Sequence, residues 1–205
     1  MNERSFFSEI FLCLSFMPTD KKTAILKSVL HLVNSVGFYH LNMKMIAAEA
    51  GVAAGTFYLY FKKKEDVINE LYNLVVDEFN QAVLNAYQDD GDIKVIFTQM
   101  LEAAIQFYLQ QKNYFSFIEQ YTYAPFLFKE NQEQNFVLLL PIYKMMRKGK
   151  KLRLIKDIPD AILLSIIHGS MNTMIKMHYA KKVSLNNAAT RKKFYQACWE
   201  AVAVS

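Results

Sequence analysis

The sequence predicts an all-α protein, with a three-helix helix-turn-helix head and a larger helical body behind it. Three observations predict this. Gly and Pro are scarce, 6 and 4 in 205 residues, while Leu, Ala, Ile, Met and Lys are common, which favours helix over strand. Apolar residues recur at spacings of three and four, with no strand alternation, internal repeat or low-complexity tract between them. One segment, residues 43–61, sets a glycine between two short helical runs, as two helices crossing at a tight turn require.

Residues 1–19 are expected to form an N-terminal extension. The apolar run from Ser5 to Met17 contains Glu9 and lacks the positive lead and A-x-A site of a signal peptide. Two readings stay open: Met17 is the natural start, or the run is an amphipathic helix packing on the body. Asp20 to Val36 follows as a helix, because Ile25, Val29, Leu32, Val33 and Val36 share one face and Gly37 stops it. Asn42 suits the cap of a second helix, Met43 to Ala50, which Gly51 ends. A third helix is expected from Ala54 to Phe61 and a fourth from Lys64 to Tyr87. After the break at residues 88–92 come helices at 93–111, 114–121 and 132–148, the last with a possible kink at Pro141. Gly149 to Ile158 reads as a solvated basic loop. Pro159 opens a helix to Tyr179, and Asn186 to Val202 is the last.

In the crossing segment each residue type has a physical use. Ala47 is small enough for a close helix crossing, and Gly51 tolerates the positive φ of the turn. Ile46, Ala50, Val52 and Phe57 pin the two helices together. Ala53, Ala54, Thr56, Tyr58 and Tyr60 remain outward. Phe61 is expected in the core. For Tyr58 and Tyr60, core packing and outward contact are both open, and the polar hydroxyl favours the second. Seven residues span ~10 Å, which fits a DNA major groove ~12 Å wide. The charge agrees. Lys21, Lys22, Lys27, Lys44, Lys62, Lys63 and Lys64 stand against only Asp20 and Glu49 between residues 20 and 64, so the net charge of +5 resides in that segment and the remainder is balanced. A local basic excess is the footprint of a nucleic-acid contact, although a solvated lysine face has the same pattern.

The run I-A-x-x-A-G-V-x-x-G-T-F-Y-x-Y-F-x-x-K-E, residues 46–65, resembles the signature of the TetR family of transcriptional regulators. It matches at Ile46, Ala47, Ala50, Gly51, Val52, Gly55, Thr56, Tyr58, Phe61, Lys64 and Glu65, and the resemblance extends over about 45 residues with the preceding helix. It implies a homeodomain-like DNA-binding domain at 20–66, with the helix-turn-helix at about 43–61, and an effector-binding and dimerisation domain at 67–205. It also implies contacts with DNA at Lys44, Ala54, Thr56, Tyr58, Tyr60 and Lys64, the lysines reaching phosphates. One departure is Leu41-Asn42, where the family often has Thr or Ser; Asn42 still caps, but a hydroxyl contact with phosphate is lost.

The body is dense in aromatics, with ten between Phe97 and Phe128. Such density fills a core or lines an apolar pocket. The resemblance implies a pocket for a hydrophobic small-molecule effector, for which Phe107, Tyr121, His168 and Asn172 are candidates. It also implies a homodimer through the last two helices, with Ile167, Met171, Met174, Phe194 and Cys198 as candidate contacts.

Other function classes find little support. His31, His40, His168 and His178 form no H-E-x-x-H or E-x-x-H pattern, and Cys13 and Cys198 have no metal-like neighbours. No G-x-S-x-G, P-loop or G-x-G-x-x-G occurs. No catalytic residue, metal site or cofactor is therefore expected. The apolar stretch 161–177 contains His168, Asn172 and Lys176 and falls short of the ~20 residues of a membrane span, so no membrane partner is expected. Two distant cysteines fit a reduced, cytoplasmic chain. The leading expectation is a repressor released from a double-stranded DNA operator by an effector. The alternatives are a DNA-binding dimer without an effector and a module that binds a membrane or partner through residues 5–17.

Overall fold

A computed structural model describes residues 21–87, 90–129 and 140–204. The expected N-terminal extension and the start of the helix expected at Gln132 lie outside these residues. Among the described residues are nine α-helices and no strand. The chain divides into two compact units between Leu71 and Tyr72.

The first unit begins with α1, Lys21–Val36, whose buried face carries Ile25, Val29, Leu32 and Val33. Gly37, at φ 79°, ends it and leads into a 3-10 turn, Phe38–His40. Helix α2, Met43–Glu49, is capped by Asn42, whose side chain accepts from the Met45 N–H at 3.0 Å. Gly51 has φ 65°. Its N–H donates to Ala48 at 3.2 Å and that of Val52 to Ala47 at 3.0 Å. This pair of bonds closes the helix as a Schellman motif, which requires a left-handed residue at that position. The turn delivers the chain to α3, Ala54–Tyr60. Phe57 and Phe61, one turn apart, are both buried, with ring centroids 5.7 Å apart. Helix α4, Lys64–Leu84, places Val67, Ile68 and Leu71 in buried positions, and Glu70 meets Lys22 of α1 at 2.6 Å. The head thus continues past residue 66, because the first two turns of α4 complete its core.

The second unit comprises the rest of α4 with α5, Ile93–Gln110; α6, Lys112–Tyr121; α7, Leu140–Lys151; α8, Asp160–Tyr179; and α9, Ala188–Val202. Asp92 caps α5 and Asn187 caps α9 through their side-chain oxygens. The core is apolar and aromatic: Phe97 meets Trp199 edge-on at 5.4 Å, and Phe79 stacks on Tyr108 at 4.8 Å. Arg191 of α9 reaches Glu102 of α5 at 3.2 Å.

The expected solvated loop at 149–158 is corrected in part: residues 151–154 and 157 are exposed, but Gly149 and Ile155 are buried. Helix α7 continues to Lys151, and Ile155 is buried. Gly149 lets the returning chain come close, and its carbonyl accepts from Leu154 and Ile155. Lys150 donates to Ile158 O and Asp160 Oδ1, both at 2.5 Å. Lys156 N–H bonds Val202 O at 2.9 Å and Val204 N–H bonds Leu154 O at 3.1 Å, which secures the C-terminal end. Lys150 and Lys156 thus bond carbonyls and a carboxylate, while Lys151 and Arg153 are exposed.

Candidate nucleic-acid interface and ligand cavity

Helix α3 uses only one side for packing. Phe57 and Phe61 point inward. At ~100° per residue, Gly55 and Leu59 fall on the opposite side of the helix. Leu59 is 81% exposed and Tyr58 54% exposed. Ala53, Ala54 and Tyr60 are also exposed, and Thr56 is half-buried. A Cβ built on Gly55 would meet no atom within 4 Å, so the fold itself does not require glycine there. The helix end therefore offers bare backbone, one hydroxyl at Thr56, two phenols and an apolar tip. Such a face suits close approach to another surface, where hydroxyls contact phosphate or base edges and apolar groups contact thymine methyls.

The expected DNA-contact residues are brought together in the first unit. Ala54, Thr56, Tyr58 and Tyr60 share α3, Lys44 is exposed in the first turn of α2, and Lys64 opens α4. Lys64 has an additional role. Its ammonium donates to Phe38 O at 3.2 Å and Leu41 O at 3.4 Å, and it lies 4.4 Å from the centre of the Phe38 ring. These contacts fix the turn between α1 and α2 and leave one of three N–H donors to point elsewhere. The sequence reading missed Leu59, because it selected small and hydrogen-bonding residues. Helical spacing from Phe57 and Phe61 was the signal that could have found it. Tyr39, on the 3-10 turn, is exposed and was also missed.

The second unit holds a half-open cavity of about 340 Å³. Phe79 and Val83 of α4, Phe97, Leu101 and Ala104 of α5, Met145 of α7, and Leu164 and Met171 of α8 are among its walls. Its polar lining residues are Ser165 and His168, both on α8. Ser165 Oγ donates to Ile162 O at 2.8 Å. His168 is solvent-accessible at the cavity's edge, but burial of much of its ring lowers its pKa from the ordinary imidazole value, with Glu119 acting in the opposite sense. One turn on, Asn172 Nδ2 donates to Glu119 Oε1 at 2.7 Å and lies 3.4 Å from His168 Nδ1. Lys176 pairs with the same carboxylate.

His168 lines the cavity, and Asn172, one turn further along α8, contacts its ring. The expectation for Phe107 and Tyr121 is corrected. Phe107 packs edge-on against Phe79 and Tyr108, at 5.6 and 5.5 Å, on the far side of the aromatic layer. Tyr121 is buried between Phe117 and Phe126. The candidate dimer contacts divide. Met171 and Cys198 are buried in the unit's own core, which takes them from a partner's reach. Ile167 lines the cavity, and Met174 and Phe194 pack against the core, but all three are only half-buried. The exposed positions of α8 include Ala161, Ile162, Gly169, Thr173 and Met177, and those of α9 include Gln196, Ala197 and Glu200. Among the described residues, no helix is long and apolar enough to cross a membrane, and no three His, Cys, Asp or Glu side chains cluster as a metal site would need.

Comparison with known proteins joins both halves. A family model described as bacterial regulatory proteins, tetR family, matches residues 25–71. A model described as tetracyclin repressor-like, C-terminal domain, matches residues 72–204. The crystal structure of a tetR family transcription regulator from Shewanella sp. PV-4 is similar at a TM-score of 0.81 and 27% identity, over 90% of this chain and 99% of that one. One from Marinobacter aquaeolei VT8 shares the fold at a TM-score of 0.84 and 20% identity, over 90% and 96%. The fatty acid metabolism regulator protein of Bacillus subtilis is 36% identical over 59 residues, 29% of this chain and 30% of that protein. The chain matches between 30% and 57% of the length of the curated relatives.

Proposed function

The chain belongs to the tetR family of bacterial regulatory proteins, and from that premise we propose that it is a homodimeric transcriptional repressor, released from a DNA operator by a hydrophobic small molecule. The observation that carries the DNA-binding part is the outer face of α3: Leu59 and Tyr58 are exposed beside a glycine whose missing side chain the fold does not require. An exposed apolar tip on a small, basic head is costly in water and useful against thymine methyls in a major groove. The exposed Lys44 reaches backbone phosphate, and Thr56, Tyr58 and Tyr60 fix the register.

The effector part is supported by the cavity. At about 340 Å³ it lies at the small end of ligand pockets, ~300–1,000 Å³, and is almost wholly apolar. Helix α4 is common to both functions. Its first turns belong to the head's core, and Phe79 and Val83, further along the same helix, line the cavity. A ligand that favours one position of α4 shifts the population of heads able to bind, and release follows from that difference in affinity. The Bacillus subtilis relative, 36% identical over 59 residues, is named as a regulator of fatty acid metabolism, and a lipid-like effector fits that name.

The test uses DNA fragments recovered with the protein from its own genome. Operator affinity is measured against salt for the native chain and for Lys44→Ala. Loss of one phosphate contact lowers the log–log slope by ~0.9. An unchanged slope and affinity removes Lys44 from the interface. Failure to enrich any fragment contradicts the function itself.

A further inference from the structure

We infer that the cavity of the second unit takes a neutral, largely apolar molecule bearing one hydrogen-bond-accepting oxygen, such as a ketone or ester, and turns away carboxylates. The inference rests on the effector reading above and specifies its ligand.

The argument begins with charge. No Lys or Arg is among the lining residues, whose polar members are Ser165 and His168. The nearby cation on this helix, Lys176, is paired with Glu119. A carboxylate drawn against the apolar walls of the cavity would lose much of its hydration and find no counter-charge, which is unfavourable. It would also approach Glu119 through the Asn172–His168 link.

Hydrogen bonding then fixes which polar group is accepted. Glu119, paired with Lys176, accepts from Asn172 Nδ2 at 2.7 Å. That bond sets the amide's orientation, since the reverse would place amide oxygen against carboxylate. The same Nδ2 lies 3.4 Å from His168 Nδ1. An amide nitrogen only donates, so Nδ1 is the unprotonated nitrogen and the proton of the neutral ring is on Nε2. Protonating Nδ1 would set two donors against each other, and burial of the ring acts in the same direction. His168, one of the two polar lining residues, therefore has Nε2–H as the donor left for a ligand. Ser165 has already given its proton to Ile162 O and adds no second donor. A carbonyl oxygen satisfies the single donor, and the hydrocarbon remainder fills the space.

The experiment is calorimetric titration of the full chain with 2-decanone and with decanoate at neutral pH, repeated with His168→Leu and His168→Gln. The native chain binds 2-decanone, and decanoate binds weaker by on the order of a hundredfold. His168→Leu weakens 2-decanone by about tenfold, the upper range for one neutral hydrogen bond. His168→Gln, whose amide nitrogen reaches about as far as Nε2, recovers most of the loss. Decanoate binding as tightly as 2-decanone, or an unchanged ketone affinity in His168→Leu, overturns the inference and leaves the effector reading standing. If neither probe binds at millimolar concentration, this inference fails, and the effector reading, which admits other hydrophobic molecules, stands.

Discussion

Gly55 and Gly149 are both helical glycines, yet the structure uses them in opposite ways. A Cβ on Gly149 would lie 2.5 Å from Ile155 Cδ1 and 2.7 Å from Cγ1. A Cβ on Gly55 would meet nothing within 4 Å. The first glycine serves packing inside the molecule; at the second, nothing in the fold requires the missing side chain, and the proposed approach of DNA would use the space. Gly149→Ala should lower stability by about 1–3 kcal/mol in chemical denaturation, because Ile155 is buried and has little room to yield. Gly55→Ala should hold or raise stability, by up to ~1 kcal/mol from helix propensity, and at the same time weaken operator binding. A destabilised Gly55→Ala protein, or one with unaltered DNA affinity, would show that the residue serves the fold. His168 illustrates the same point for the cavity: its chemistry follows from Asn172 and Glu119 behind it, neither of which shares a sequence motif with it.

Between helices, most of the polar ties are made at the surface, and the α5–α9 tie is the one with a clear pH signature. Burial raises the pKa of Glu102, but the neighbouring Tyr195 hydroxyl, the Gln106 amide and the Arg191 guanidinium outweigh it and hold the carboxyl below its ordinary 4.5. Tyr195 acts on that charge from close by without an aligned hydrogen bond. Because the folded pKa is depressed, the stability Glu102 contributes is present above pH 4.5 and is lost as pH falls through the lowered value. Glu102→Gln should therefore be less stable than the native chain at neutral pH and lose less on acidification. Denaturation midpoints taken from neutral to acid pH check this; parallel curves for the two proteins would rule it out. Element by element, local signals were legible where they were strong. The buried face of α1, the Asn42 cap and the left-handed Gly51 all follow from spacing and residue type. The segment after Gly149 was not legible, since a basic run reads as solvated unless one knows that Ile155 folds back onto the glycine. Some of the dimer and pocket candidates were misplaced for a related reason. Periodicity identifies an apolar face but not what covers it, so Met171, Cys198 and Tyr121 were offered to partners and are instead buried in the core.

At the scale of the whole molecule, the charge that matters is local. Seven lysines stand against two carboxylates between residues 20 and 64, while the body, residues 72–205, holds 16 Lys and Arg against 12 Asp and Glu and is itself basic. The lysine cluster beside the helix-turn-helix, and not a neutral body, is what would draw the proposed dimer's heads to phosphate. Half-sites should lie about one helical turn apart, ~34–36 Å, or a multiple of it. All of this depends on the outer face of α3 being the surface that meets DNA. The most direct measurement is operator affinity, by fluorescence anisotropy, for Tyr58→Ala beside Tyr123→Ala, which removes a tyrosine that is 95% exposed in the other unit. Tyr58→Ala should lose about tenfold or more in affinity, and Tyr123→Ala should match the native chain. Equal affinity for Tyr58→Ala and the native chain, with both folded, would contradict the account.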